Sequence, residues 1–168
     1  IHKIDPALLD GLWDQGQANT VAQKGLVLSL DVDEQPVPST RMPTLPSLAG
    51  GGGFSIEFWL KLDRTIAGQV ILDSRNKKGK GIVIVTSENG TIRIDLNDGK
   101  HTDGWDCDAG LIQPDRWHHV VMIIDGGPKI ISFVVDGVLC DGRAIRDFGW
   151  SRFNKDMNDV NGSRELKI

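Results

Sequence analysis

Residues 54–61 read Phe-Ser-Ile-Glu-Phe-Trp-Leu-Lys, a period-two pattern that turns Phe54, Ile56, Phe58 and Leu60 one way and Ser55, Glu57, Trp59 and Lys61 the other. This predicts a β-strand. Further β-branched or apolar segments follow at 69–74, 81–87 and 91–97, the last two joined by Glu88-Asn89-Gly90, and Asn-Gly tolerates the positive φ of a tight hairpin. A second hairpin is expected from 117–125 and 129–135 across Gly126-Gly127-Pro128, and Asp136-Gly137 turns the chain again into 138–140. Upstream, 24–31 is a strand candidate through Val27, Leu28 and Leu30, followed by a Pro- and Gly-rich connection over 34–53. Asp5-Pro6-Ala7-Leu8-Leu9 reads as an N-cap with Pro at the first helical position, predicting a short helix over 6–14.

Many short strands without crossover helices imply an all-β fold, two packed antiparallel sheets in a sandwich or jelly roll with a short N-terminal helix. The 168 residues suit one domain over 1–168, with 1–23 as a lead-in. Twenty Gly and no Tyr accord with frequent turns. Net charge is −4 and the cations are scattered among acids, so the basic footprint of a nucleic-acid binder is missing. No apolar run approaches the roughly 20 residues of a membrane-spanning helix, and residues 1–23 lack the basic and apolar regions of a signal peptide. The expectation is a soluble domain whose export signal, if it had one, has been removed.

Three segments in order carry a family resemblance: Phe54 to Lys61, then Arg116-Trp117-His118-His119-Val120-Val121, then Val134-Val135-Asp136-Gly137-Val138. Over about residues 24–142 the chain resembles the laminin-G-like domains of the concanavalin A-like lectin/glucanase superfamily. The resemblance implies a jelly roll, secreted, periplasmic or cell-surface, often attached to a glycoside hydrolase, binding a sugar, a protein or calcium. Such domains close with a last strand that pairs near the first. Here the sequence ends Leu166-Lys167-Ile168, so a missing terminal strand and an exposed sheet edge are expected.

The glucanases of that superfamily set two carboxylates about 5 Å apart on one strand face with a Glu-x-Asp-x-x-Glu run, which is absent. Its jelly-roll lyases use a Tyr, and there is none. No nucleophile-elbow pattern accompanies His118 or His119, so no catalytic residue is assigned. Cys107 and Cys140 sit in similar Cys-Asp contexts, and a disulfide between them would close a loop of about 33 residues, contributing roughly 3–4 kcal/mol. Two unpaired buried thiols are the alternative. Zinc is not expected, since the adjacent His118 and His119 point to opposite sides of a strand.

Trp117 begins a strand and is expected in the core, while Trp59, opposite to Phe54, Ile56 and Phe58, could pack on a loop or another layer. Trp105 and Trp150 each lie in a Gly-flanked loop rich in polar groups, and loops are where binding residues concentrate on such scaffolds. Sugar recognition needs an apolar ring face beside carboxylate, amide or guanidinium groups. Trp105 and Trp150 with Asp103, Asp106, Asp108, Arg143, Arg146 and Asn154 are therefore the candidate glycan site; the alternative is that both rings plug the ends of the sandwich. Asp31, Asp33 and Glu34 offer hard oxygen ligands for calcium, or are solvated loop acids. Two tripeptides, Asn89-Gly90-Thr91 and Asn161-Gly162-Ser163, match glycosylation acceptors and decide nothing by themselves.

Two functions follow. The first is a non-catalytic, lectin-like accessory domain of a secreted or surface glycan-processing protein, with a glycan and a catalytic domain of the same protein as partners. The second is a protein-interaction or structural sandwich that packs on a neighbouring domain.

Overall fold

The structure, a computed structural model, describes residues 42–167. The expected helix over 6–14 and strand over 24–31 lie outside them. Among the described residues nine strands follow in order: β1 (Gly53–Lys61), β2 (Val70–Asp73), β3 (Gly81–Thr86), β4 (Ile92–Asn97), β5 (Thr102–Asp106), β6 (Trp117–Asp125), β7 (Ile130–Val135), β8 (Val138–Leu139) and β9 (Trp150–Arg152). They form two antiparallel sheets. One is five-stranded, ordered β1-β6-β7-β8 with β9 also paired to β7; the other is ordered β2-β3-β4-β5.

Alternation decides which side chains meet between the sheets. Ile82 and Ile84 of β3 and Ile92, Ile94 and Leu96 of β4 face Val120, Met122 and Ile124 of β6 and Ile131, Phe133 and Val135 of β7, and all are buried. Asp136 and Gly137 turn β7 into β8 with φ of 52° and 80°, a pair of left-handed conformations that suits a two-residue hairpin. The tail after β9 wraps the core: Phe153, Met157 and Val160 are buried, and the Leu48 N–H donates to the Asn158 carbonyl. Lys167 exchanges both backbone hydrogen bonds with Asp73, so the tail pairs with β2 at that point.

Three expectations change. Residues 102–106 form an edge strand instead of a loop, because β4 supplies the pairing that Asp and Gly would not favour alone. Residues 150–152 likewise form β9 on β7. Trp117 is 59% exposed, whereas the next residue, His118, is only 2% exposed. The strand's period sends His118 inward with Val120 and Met122, and leaves Trp117 outside with His119.

Candidate functional site

β5 and β9 come into contact across the sandwich. Trp105 sits on β5 opposite the buried Ile94, and it is half-buried. Its indole N–H donates to the Gly149 carbonyl at 3.1 Å, and the Arg146 guanidinium lies 4.4 Å from the ring centre. Arg146 in turn donates to Asp106 Oδ1 at 2.9 Å and to Asp108 Oδ1 at 2.7 Å. Asp108 is 2% exposed, and its Oδ2 accepts from the amides of Asp141 and Gly142 at 3.0 and 3.1 Å. Burial pushes the Asp108 carboxyl up, but the hydrogen bonds from Arg146, Gly142 and Asp141 outweigh it and hold the group below the ordinary carboxylate range. These residues satisfy one another. Their role is to fasten the segment between β8 and β9 to β5.

That segment carries Phe148 and Trp150. Their rings are 57% and 36% exposed, tilted at 39° with centroids 5.1 Å apart. Together with Trp105, Arg146, Asp147, Ser151 and Arg152 they line an open depression of about 420 Å³. Gly149 lies between the two rings because nothing larger fits: a Cβ there would come within 1.9 Å of the Cys140 carbonyl oxygen. Of the other expected residues, Asp103 accepts the Asn154 amide N–H at 2.9 Å beside β9, and Arg143 is exposed on the turn with φ of 50°. Trp105, Asp106, Asp108, Arg146 and Trp150 are thus brought together at one edge. Phe148 and Arg152 join this lining without being among the expected residues, although Phe148, Trp150 and Arg152 alternate at period two, which places them on one face of an extended chain.

His118 presents no free nitrogen. Nδ1 is 2.8 Å from Asp136 Oδ2, and Nε2 accepts the Gln113 amide N–H at 3.0 Å, so the buried imidazole ties the segment before β6 and the start of β6 to the exposed β7–β8 turn. Cys107 and Cys140 are free, buried thiols. Burial pushes Cys107 up to about 12 and raises Cys140 as well. Asp31, Asp33 and Glu34 lie outside the described residues; among the described residues no group of three or more His, Cys, Asp or Glu is arranged to hold a metal ion. No helix among them is long and apolar enough to cross a membrane. Asn89 is exposed on its turn, whereas the Asn161 side chain is bonded to both backbone groups of Leu45.

No curated protein sequence matches the chain. Among solved structures it is similar to the Ruminococcus gnavus IT-sialidase CBM40 bound to alpha2,3 sialyllactose, at 15% identity over 73% of this chain and 63% of that one, with a TM-score of 0.52. A second structure of the Ruminococcus gnavus IT-sialidase CBM40 aligns at 13% identity over 77% of this chain and 79% of that one, with a TM-score of 0.50. At these identities the likeness concerns the fold, and the chain spans less than two thirds of the first of these structures. The family model Laminin_G_3, described as the concanavalin A-like lectin/glucanases superfamily, matches residues 38–161. With two antiparallel sheets and most of its length inside that match, the chain belongs to the concanavalin A-like lectin/glucanases superfamily.

Proposed function

We propose that this domain binds carbohydrate without transforming it, as a lectin-like accessory module of a secreted or surface glycan-processing protein. The observation that carries the reading is the exposed Phe148–Trp150 ring pair in an open depression edged by Arg152. Two ring faces can take the C–H side of a sugar, and the guanidinium, Ser151 hydroxyl and Asp147 carboxylate can take its hydroxyls. Arg146 is neutralised by Asp106 and Asp108, which leaves Arg152 as the available cation of this lining. The CBM40 structure of similar fold binds a sialylated trisaccharide, so sialylated oligosaccharides belong among the first ligands to try. Holding a companion catalytic domain near its substrate would multiply a modest affinity by effective concentration.

A glycan-array screen of the folded domain, followed by calorimetric titration of a hit, tests this. Phe148→Ala and Trp150→Ala are each expected to weaken binding about tenfold, the equivalent of roughly 1.4 kcal/mol. Unchanged affinity in both variants would reject the site. Calcium binding by Asp31, Asp33 and Glu34 is read in the same work from the melting curve with millimolar calcium or chelator. In an oxidising compartment Cys107 and Cys140 are suited to pair, because the Asp108 bonds to Asp141 and Gly142 draw their neighbours together; intact mass with and without alkylation reports it. A protein-contact function draws on one other observation, the exposed Val138, Leu139 and Ile145 around the β8 edge.

A further inference from the structure

Among the described residues, two tryptophans stand outside both the core and the depression. Trp59 on β1 is 63% exposed, and its ring stacks on His119 of β6 at 4.9 Å and 25°. His119 Nε2 lies 3.6 Å from Glu57 Oε1. Trp117, exposed to a similar extent, is two residues before His119 on β6 and therefore shares its face. Lys61 is directly opposite Trp117 in the β1–β6 register. The outward side of the five-stranded sheet thus carries two indole rings, an imidazole, a carboxylate and an ammonium group within adjacent strands.

The same face reaches the depression. Trp150 opposes Ser132 on β7, and Ser132 opposes Ile123 on β6, so Trp150 and Ile123 lie on the side that bears His119 and Trp59. From β9 to β1 is three strand spacings, about 14 Å, and Trp59 lies four residues along β1 from Ser55, the residue level with Trp150, so the two tryptophan positions are about 20 Å apart. The centres of protein–protein interfaces are depleted in charged residues. Here Glu57, Lys61 and His119 are interleaved with the rings, which matches sugar instead, whose two aspects are a C–H face and hydroxyl edges.

We infer that the outward face of the five-stranded sheet, through Trp59 and Trp117, is a second carbohydrate-contact surface that binds an extended polysaccharide chain running from the Phe148–Trp150 depression. The inference rests on the carbohydrate reading above, and the experiment separates the two.

Wild type, a Trp59→Ala/Trp117→Ala variant and a Phe148→Ala/Trp150→Ala variant are run on native gels containing soluble xylan, mixed-linkage β-glucan, hyaluronan or chondroitin sulfate, and are titrated with the short oligosaccharide from the array. Support is a polymer that retards the wild type, an at least tenfold weaker retardation in the Trp59/Trp117 variant, and unchanged oligosaccharide affinity in that variant. Its melting temperature should stay within about 2 °C of wild type, as for exposed positions. Retardation that survives in the Trp59/Trp117 variant but is lost in the Phe148/Trp150 variant overturns the second surface and leaves the first site standing. So does binding of the oligosaccharide with no retardation by any polymer. A fall in melting temperature of more than about 6 °C in Trp59→Phe/Trp117→Phe would show that these rings serve packing, and would also overturn it. Silence toward every glycan rejects both readings.

Discussion

Asp108→Ala removes the anchor of the segment that carries Phe148 and Trp150. The substitution leaves the amides of Asp141 and Gly142 and one arm of Arg146 without their acceptor. Hydrogen bonds to a charged group contribute about 1.5–3 kcal/mol each, and breaking a buried ion pair from one side costs about 3–5 kcal/mol. Arg146 keeps Asp106 and a side chain 22% exposed, so water can rehydrate part of the loss; the lower end, about 3 kcal/mol, applies. For a chain of this length each kcal/mol moves Tm by roughly 2–4 °C, which predicts a fall of about 6–12 °C. Asp108→Asn keeps the shape and one carbonyl acceptor, and should lose about half as much. The assay is thermal unfolding followed by far-ultraviolet circular dichroism, with oligosaccharide titration of each folded variant. Affinity should fall with stability, since the displaced segment holds both rings. An Asp108→Ala protein melting within 2 °C of wild type would refute the claim that this carboxylate fastens the segment.

Acid should destabilise the domain over a defined window. Burial works against the Asp98 anion, but hydrogen bonds from His101, Lys100 and Asn158 bring it down to about 2, and Asp136 and Asp159 are also lowered. Depressed folded-state values stabilise above the unfolded value, so stability should decline as pH falls from about 4 toward 2; a Tm constant across that range, or an equal slope in Asp98→Asn, would contradict it. In urea unfolding, His118→Ala should cost about 2–3 kcal/mol and Trp117→Ala about 0.5 kcal/mol, reversing the order of side-chain size because only the histidine is buried and bonded on both nitrogens. Gly149→Ala should cost about 3 kcal/mol or more and abolish oligosaccharide binding, because the new Cβ would overlap the Cys140 carbonyl and displace β9. Wild-type-like melting of that variant would remove the steric argument.

Alternation and turn chemistry settle much of this protein before any coordinates. The period-two run at 54–61, the Asp136-Gly137 turn and the lack of crossover helices are local features, and each states a strand, a hairpin or a layer without reference to the rest of the chain. The opposed faces of His118 and His119 follow from the same period, and the structure has them so. Strands β5 and β9 are different. Thr-Asp-Gly-Trp-Asp and Trp-Ser-Arg have weak intrinsic preference, and they become strands only because β4 and β7 offer free edges to pair with. The site divides along the same line. Aromatic and charged residues near 105 and 150 were legible as ingredients, but which of them remain free for a ligand depends on distances between segments about 40 residues apart. Only the tertiary structure decides that Arg146 is taken by Asp106 and Asp108 and Trp105 by Gly149, and that Phe148, Trp150, Trp59 and Trp117 are the exposed rings among the described residues. The physical reason is that burial and hydrogen-bond partnership belong to pairs of residues, while a sequence pattern speaks for one segment at a time.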